Sequence, residues 1–190
     1  LQEIKTFISG SGNVCAQIIP SFVNTAPVVT PQSNYSIPVS TPFILTLSAT
    51  DAENHPMTFA WEQMNNVTAT VAMPPSSANT TGPMFRSIFA TASPSRYFPP
   101  LDNVIANTTN IWHVLPSVAR SLSFRGVARD FTGVAGCNHE TNITVSTVNA
   151  AAGAFSVTSF NAASNWLSGQ IQNVTWNIAQ TNTAPVNAPM

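Results

Sequence analysis

Two neighbouring stretches alternate apolar and polar residues with a period of two. Over 43–50, Phe43, Leu45, Leu47 and Ala49 fall on one side; over 57–62, Met57, Phe59 and Trp61 alternate with Thr58, Ala60 and Glu62. Successive side chains of a strand point to opposite faces, so each stretch predicts a strand with one face against a core. The residues between them, Asp51-Ala52-Glu53-Asn54-His55-Pro56, are turn chemistry. The pair therefore predicts the nucleus of a β domain, with the Trp61 indole held between sheets.

Further strands are expected at 84–91, 95–98, 111–115, 121–130 and 141–148, with a long Asn-, Thr-, Pro- and Ser-rich loop over 64–83. About seven short strands without a convincing helix predict an all-β fold, an immunoglobulin/fibronectin-III-like β-sandwich over 35–149. The flanks differ in character. Leu1, Ile4 and Ile8 have helical spacing and run into Ser9-Gly10-Ser11-Gly12, the signature of a short helix stopped by glycine. A helix so short needs a partner to be stable, so 1–19 reads as the helical remnant of a preceding domain. Pro20, Asn24, Pro27 and Pro31 mark 20–34 as a linker. After a small-residue hinge at 150–153, the stretches 155–160 and 170–178 read as the first strands of a second, incomplete module over 150–190, with Trp176 in its core. Asn24-Thr25-Ala26-Pro27-Val28 recurs at 182–186, but five common loop residues do not establish a repeat.

Composition narrows the setting. Charged residues are 7% of the chain and Lys5 is the only lysine. Thr, Ser and Asn take their place, which suits the solvent faces and turns of an extracellular β-module. Disordered chains combine low hydrophobicity with high net charge, whereas 44% of this chain is apolar and its formal net charge is −1. The same near-neutrality gives no basic field for nucleic acid. Apolar runs stop far short of the roughly 20 residues of a spanning helix, so membrane insertion is not expected. The start lacks a basic region followed by an apolar stretch, so the first residue is read as the product of truncation or processing. Cys15 and Cys137 have no metal-ligand spacing; a mutual disulfide, partners elsewhere and free thiols all remain open. Six Asn-x-Ser/Thr sequons occur, at Asn34, Asn66, Asn79, Asn107, Asn142 and Asn173.

The search for chemistry returns little. His139-Glu140-Thr141-Asn142-Ile143 begins like HExxH, yet Ile143 stands where the second imidazole is required, and the segment reads as a strand. His55 and His113 look isolated. The seven acidic residues, Glu3, Asp51, Glu53, Glu62, Asp102, Asp130 and Glu140, are too few and scattered for carboxylate catalysis, and no nucleophile elbow or phosphate loop is present. The expectation is a segment without catalytic residues or a bound organic cofactor. Asp51, Glu53 and Asp130 lie at strand ends that could meet at one pole of a sandwich, where oxygen ligands from adjacent loops suit structural calcium. The competing role for Asp51 and Asp130 is to accept backbone N–H groups in turns. Trp112 and Tyr97 are candidates for a platform facing carbohydrate or peptide.

Several ordered blocks carry a resemblance. They are Thr41-Pro42-Phe43 running to Asp51-Ala52-Glu53, then Met57 to Trp61-Glu62-Gln63, Gly82-Pro83-Met84-Phe85-Arg86 with Ser93-Pro94-Ser95-Arg96-Tyr97-Phe98-Pro99, and Leu115-Pro116-Ser117 through Arg129-Asp130. Over roughly 35–180 the chain resembles the immunoglobulin-like region that follows the catalytic domain of secreted bacterial reprolysin-like zinc metallopeptidases. The resemblance implies a secreted accessory module whose partner is the upstream protease domain of the same chain, with zinc bound only there, and a spacer, stabilising or substrate-docking role. It also implies that 1–16, ending in Gly12-Asn13-Val14-Cys15-Ala16, is the tail of that protease domain and that Cys15 pairs upstream. Two departures stand out: Ala60 replaces a cysteine often found before the tryptophan, and the family's Asp-x-Asp-Gly-Asp turn is here Asp51-Ala52-Glu53-Asn54-His55. The rival reading is an adhesin or cell-surface module that binds a glycan or protein.

Overall fold

The computed structural model describes residues 2–10, 24–66, 73–133, 135–149, 153–160, 162 and 164–186. Strand residues far outnumber helical ones, and the fold is all-β in character. Helix α1 (Gln2–Ser9) closes as the glycine predicts, with the Gly10 N–H donating to the carbonyls of Thr6 and Phe7 at 3.1 and 3.2 Å. None of the described helices is long and apolar enough to cross a membrane.

Strands β1 (Val28–Val29), β2 (Tyr35–Pro38), β3 (Phe43–Thr46), β4 (Ala49–Thr50), β5 (Met57–Gln63), β6 (Ser95–Phe98), β7 (Arg120–Asp130) and β8 (Asn138–Val148) build the main body. Its largest sheet runs β2-β8-β7-β5; β2 lies parallel to β8, and the other pairings are antiparallel. β3 pairs with β6, and β1 with β4. The stretch expected as one strand over 43–50 thus divides between two partners, and between them the Leu47 N–H donates to the Pro94 carbonyl at 3.0 Å. The alternation survives the division, because Leu45 and Leu47 are both buried.

Two expectations change. The strands read at 84–91 and 111–115 reduce to isolated bridges, Phe59 with Thr91 and Phe85 with His113. The reason at Phe85 is a side chain standing in for a strand: Gln63 Oε1 accepts the N–H groups of Met84 and Phe85 at 2.7 and 3.0 Å. A five-residue helix, α2 (Leu101–Ile105), follows Phe98-Pro99-Pro100 where none was expected. The Pro100 carbonyl accepts the N–H groups of Asn103 and Val104, so the proline pair ends β6 and starts a turn of helix. Within the stretch read as a linker, Pro27 is fully buried, β1 pairs with β4, and Asn34 Oδ1 accepts the Thr144 N–H at 2.8 Å.

An aromatic cluster fills the core. Phe43 of β3 stacks on Phe98 of β6 with centroids 4.9 Å apart, and Phe98 meets Phe124 of β7 at 4.8 Å and Phe85 at 5.1 Å. The β3–β6 ladder therefore packs its inner face onto the largest sheet. Trp61 is buried opposite Gly126 in the β5–β7 register. A Cβ on Gly126 would lie 2.8 Å from Leu47 Cδ2 and 3.0 Å from the Trp61 ring, so glycine is what lets both side chains close over the strand.

Two buried arginines fasten loops to this core through backbone carbonyls. Arg96 donates to the carbonyls of Trp61 and Arg86 and lies over the Phe98 ring at 4.6 Å; burial lowers its pKa to about 10, the Glu62 charge acting against the shift. Arg120 donates to the carbonyls of Asn79, Thr81 and Gly82, and burial lowers its pKa as well.

Beyond residue 153 the described chain holds one ladder, β9 (Ser156–Val157) with β10 (Trp176–Asn177). Trp176, expected in a core, is 53% exposed because this two-residue ladder has no apolar layer over it among the described residues. The recurring pentapeptide takes unlike conformations, entering β1 in its first copy and lying in turns in its second.

Candidate functional site

Three backbone segments meet at one end of the largest sheet. They are the lead-in at 24–25, the turn at 51–55 between β4 and β5, and the junction where β7 ends at Asp130 and β8 is entered through Cys137. In the turn, the Asn54 N–H donates to the Asp51 carbonyl at 3.3 Å, and Asn54 adopts φ 59°. That left-handed conformation normally selects glycine, and asparagine is among the few other residues that tolerate it.

Asp51 Oδ1 accepts the His55 N–H at 2.7 Å, with His55 Nδ1 3.6 Å from the same oxygen. The Asp51 side chain is 1% exposed and its Oδ2 has no hydrogen-bond partner. Asp51, Glu53 and His55 each bring one ligand-type atom within 4.8 Å of the others. His55 is therefore not the isolated residue that the sequence suggested.

Asp130 lies nearby and is fully buried. Its Oδ1 accepts from Asn24 Nδ2 at 3.1 Å and from the Cys137 N–H at 2.5 Å, while its Oδ2 and Asn24 Oδ1 are buried without partners. The next residue, Thr25, donates from N and Oγ1 to Glu53 Oε1 at 3.3 and 2.6 Å. The Thr25 hydroxyl hydrogen bond is the main reason the Glu53 pKa lies below its usual value. One dipeptide thus bridges Asp130 to Glu53 and so to Asp51. Neither buried carboxylate pairs with an arginine or lysine among the described residues. Two carboxylates and an imidazole lie within reach of one another, and Asp130 adjoins them through the hydrogen bonds of Asn24 and Thr25.

Turn-forming hydrogen bonds and a ligand cluster coexist here: each aspartate commits Oδ1 to backbone or amide N–H groups and leaves Oδ2 unused. Asn24 and His55 are the two members that sequence reasoning missed. A signal existed for His55, four residues beyond Asp51 in one turn. Asn24 is joined to Asp130 across 106 residues, and nothing local announces that contact.

The remaining candidates fall elsewhere. His139 and Glu140 lie on β8, where His139 Nδ1 accepts the Val29 N–H at 3.0 Å, a structural role. The Cys137 thiol approaches the Asn24 carbonyl at 3.6 Å; Cys15 lies outside the described residues, and with it the question of a Cys15–Cys137 disulfide. Trp112 and Tyr97, the candidate platform residues, are both partly exposed, but only Trp112 lines a groove of about 300 Å³, with Met73, Pro75, Met84 and Arg86. The Arg86 guanidinium lies 5.9 Å from the Trp112 ring centre. Among the sequons, Asn79 has a buried side-chain nitrogen and so is not presented for glycosylation in this conformation.

No family model matches the chain, and a comparison with curated proteins finds no match.

Proposed function

We propose that the chain is a non-catalytic accessory segment of a secreted zinc metallopeptidase, an immunoglobulin/fibronectin-III-like β-sandwich that acts as spacer, stabiliser or substrate-docking module. The zinc ligands of the parent enzyme lie upstream of residue 1. The reading rests on the resemblance of the ordered blocks between 35 and 180. The observation that supports it best is the fastening of the lead-in: Asn24 and Thr25 are tied by side-chain hydrogen bonds to Asp130 and Glu53, and Val29 to His139. Such a fastening fixes the direction in which the preceding chain enters the module, as a spacer or stabiliser requires. The β3–β6 ladder packed over the four-stranded sheet, with Trp61 buried, agrees with a sandwich.

The test is the intact mass and proteolytic map of the protein as secreted. An HExxH zinc domain joined ahead of this segment supports the proposal. Further β modules alone in that position refute it in favour of an adhesin stalk.

A second reading is a cell-surface module that binds a glycan or protein, and the groove beside Trp112 favours it. A stacking aromatic with an adjacent arginine suits sugar rings or a peptide. Under this reading, a glycan or peptide panel yields a ligand whose binding Trp112→Ala abolishes.

A further inference from the structure

We propose that Asp51, Glu53 and His55, all in the turn between β4 and β5, form a binding site for a zinc ion. Three observations carry this. First, the ligand-type atoms are already gathered: one from each residue lies within 4.8 Å of the other two, and His55 Nδ1 is 3.6 Å from Asp51 Oδ1. Atoms about 2.1 Å from one zinc ion stand roughly 3.4 Å apart in a tetrahedron, so the Asp51–His55 spacing needs almost no change. The Glu53 carboxylate, solvent-facing at the end of a long side chain, makes up the remaining difference.

Second, two of the three residues hold buried polar atoms that the protein leaves unused. Asp51, its side chain 1% exposed, has no hydrogen-bond partner at Oδ2, and His55 Nδ1 is buried without one. Among the described residues no arginine or lysine forms an ion pair with Asp51. Enclosing an ionised carboxylate without a counter-charge is costly, and a cation held between the carboxylate and the imidazole removes that cost. The turn itself brings these groups together: the His55 N–H donates to Asp51 Oδ1 at 2.7 Å, which folds residue 55 back beside the residue 51 carboxylate.

Third, the donor set selects the ion. Zinc takes nitrogen from histidine and oxygen from aspartate or glutamate, and three protein ligands leave its fourth position to water. Calcium requires roughly six to eight oxygen ligands, and only two carboxylates meet here. Thr25 adds the outer support that metal-binding carboxylates use, its hydroxyl donating to Glu53 Oε1 at 2.6 Å. Bound at this turn, zinc would tie residues 51 and 55 together and brace the entry into β5. The inference goes beyond the parent enzyme proposed above and does not rest on it: an upstream domain of another kind leaves the site standing, and a failed zinc titration leaves the accessory-module reading standing.

The experiment is calorimetric titration of the chelator-treated 190-residue chain with zinc chloride, calcium chloride and magnesium chloride, with thermal unfolding in each and the histidine ring signals followed by NMR. We expect one zinc ion bound per chain, with the ring signals of His55 shifted and those of His113 and His139 unmoved. At zinc about a hundredfold above its dissociation constant the unfolding midpoint should rise by roughly 5–10 °C, and neither calcium nor magnesium should reproduce the rise. His55→Ala, at a partly exposed side chain, should abolish binding. Glu53→Gln should weaken it at least about tenfold, and Thr25→Ala, which removes only the supporting hydroxyl, by about tenfold. Absence of heat and of any midpoint shift with zinc overturns the proposal. Zinc binding that survives both His55→Ala and Glu53→Gln also overturns it and places the ion at the cysteines or another histidine, and calcium binding without zinc binding overturns it as well.

Discussion

Residues 24–149 and residues 153–186 carry similar sequence signals, apolar stretches rich in Val, Ile and Phe broken by turn residues, yet they build very different structures. The first region closes through partners far apart in the chain: Asn24 meets Asp130, Val29 meets His139, Asn34 meets Thr144, and the β7–β8 ladder runs ten residue pairs. Among its described residues the second has one ladder of two pairs, and Trp166, Leu167, Ile171, Val174 and Trp176 are exposed. Apolar content is therefore a poor guide to a core. What separates the two is a second layer to pack against, which the first region finds in the β3–β6 ladder.

The largest expected effect that breaks the comparison is in the first region. Phe98→Ala removes a fully buried ring that touches Phe43, Phe85 and Phe124, and should cost about 3–5 kcal/mol in urea unfolding. Trp176→Ala, although it deletes a larger side chain, should change stability by less than about 0.5 kcal/mol on the same measurement. An equal loss at both positions would mean that 153–186 has a packed core of its own.

Gly126→Ala sharpens the point with one added methyl. Its Cβ has no room beside Leu47 and Trp61, and a loss of about 1–3 kcal/mol is expected, accompanied by a shifted Trp61 fluorescence spectrum. Asn24→Ala tests how far the lead-in belongs to the closed region. It takes a hydrogen-bond donor from fully buried Asp130 and should cost about 1–2 kcal/mol; a neutral result would mean that this contact does not hold the lead-in.

The smallest effect is a pH dependence at Glu53. Its folded pKa lies below the usual 4.5, chiefly through the Thr25 hydroxyl, so its contribution is present above the unfolded value and is lost as pH falls through the lowered folded value. The difference between wild type and Glu53→Gln in midpoint should therefore be constant near neutrality and shrink in acid below about pH 4.5.

Much of the closed region was legible in the sequence because period-two alternation is a local property. Met57 to Trp61, the 95–98 stretch and the two long strands β7 and β8 were all readable that way, and so was the burial of Trp61. The helix ending at Gly10 was equally local. What escaped notice depends on distant or substituted partners. The Gln63 side chain takes the N–H groups of Met84 and Phe85, so a stretch with strand composition makes only a bridge. The proline-rich lead-in looks like a linker by composition, yet Val28 and Val29 find Thr50 and Ala49. At the candidate site, Asp51, Glu53 and Asp130 could be chosen as the acids near strand ends. Asn24, a neutral residue 106 positions from its partner, could not.

Native-state hydrogen exchange tests the central claim, that among the described residues closure is confined to those between 24 and 149, most directly. The account predicts that amides of Leu122 to Asp130 and Ile143 to Val148 exchange only through global unfolding, while those of Ser156, Val157, Trp176 and Asn177 exchange orders of magnitude faster. Protection of β9 and β10 equal to that of β7 and β8 would contradict it, and would show the two regions to be one cooperative unit.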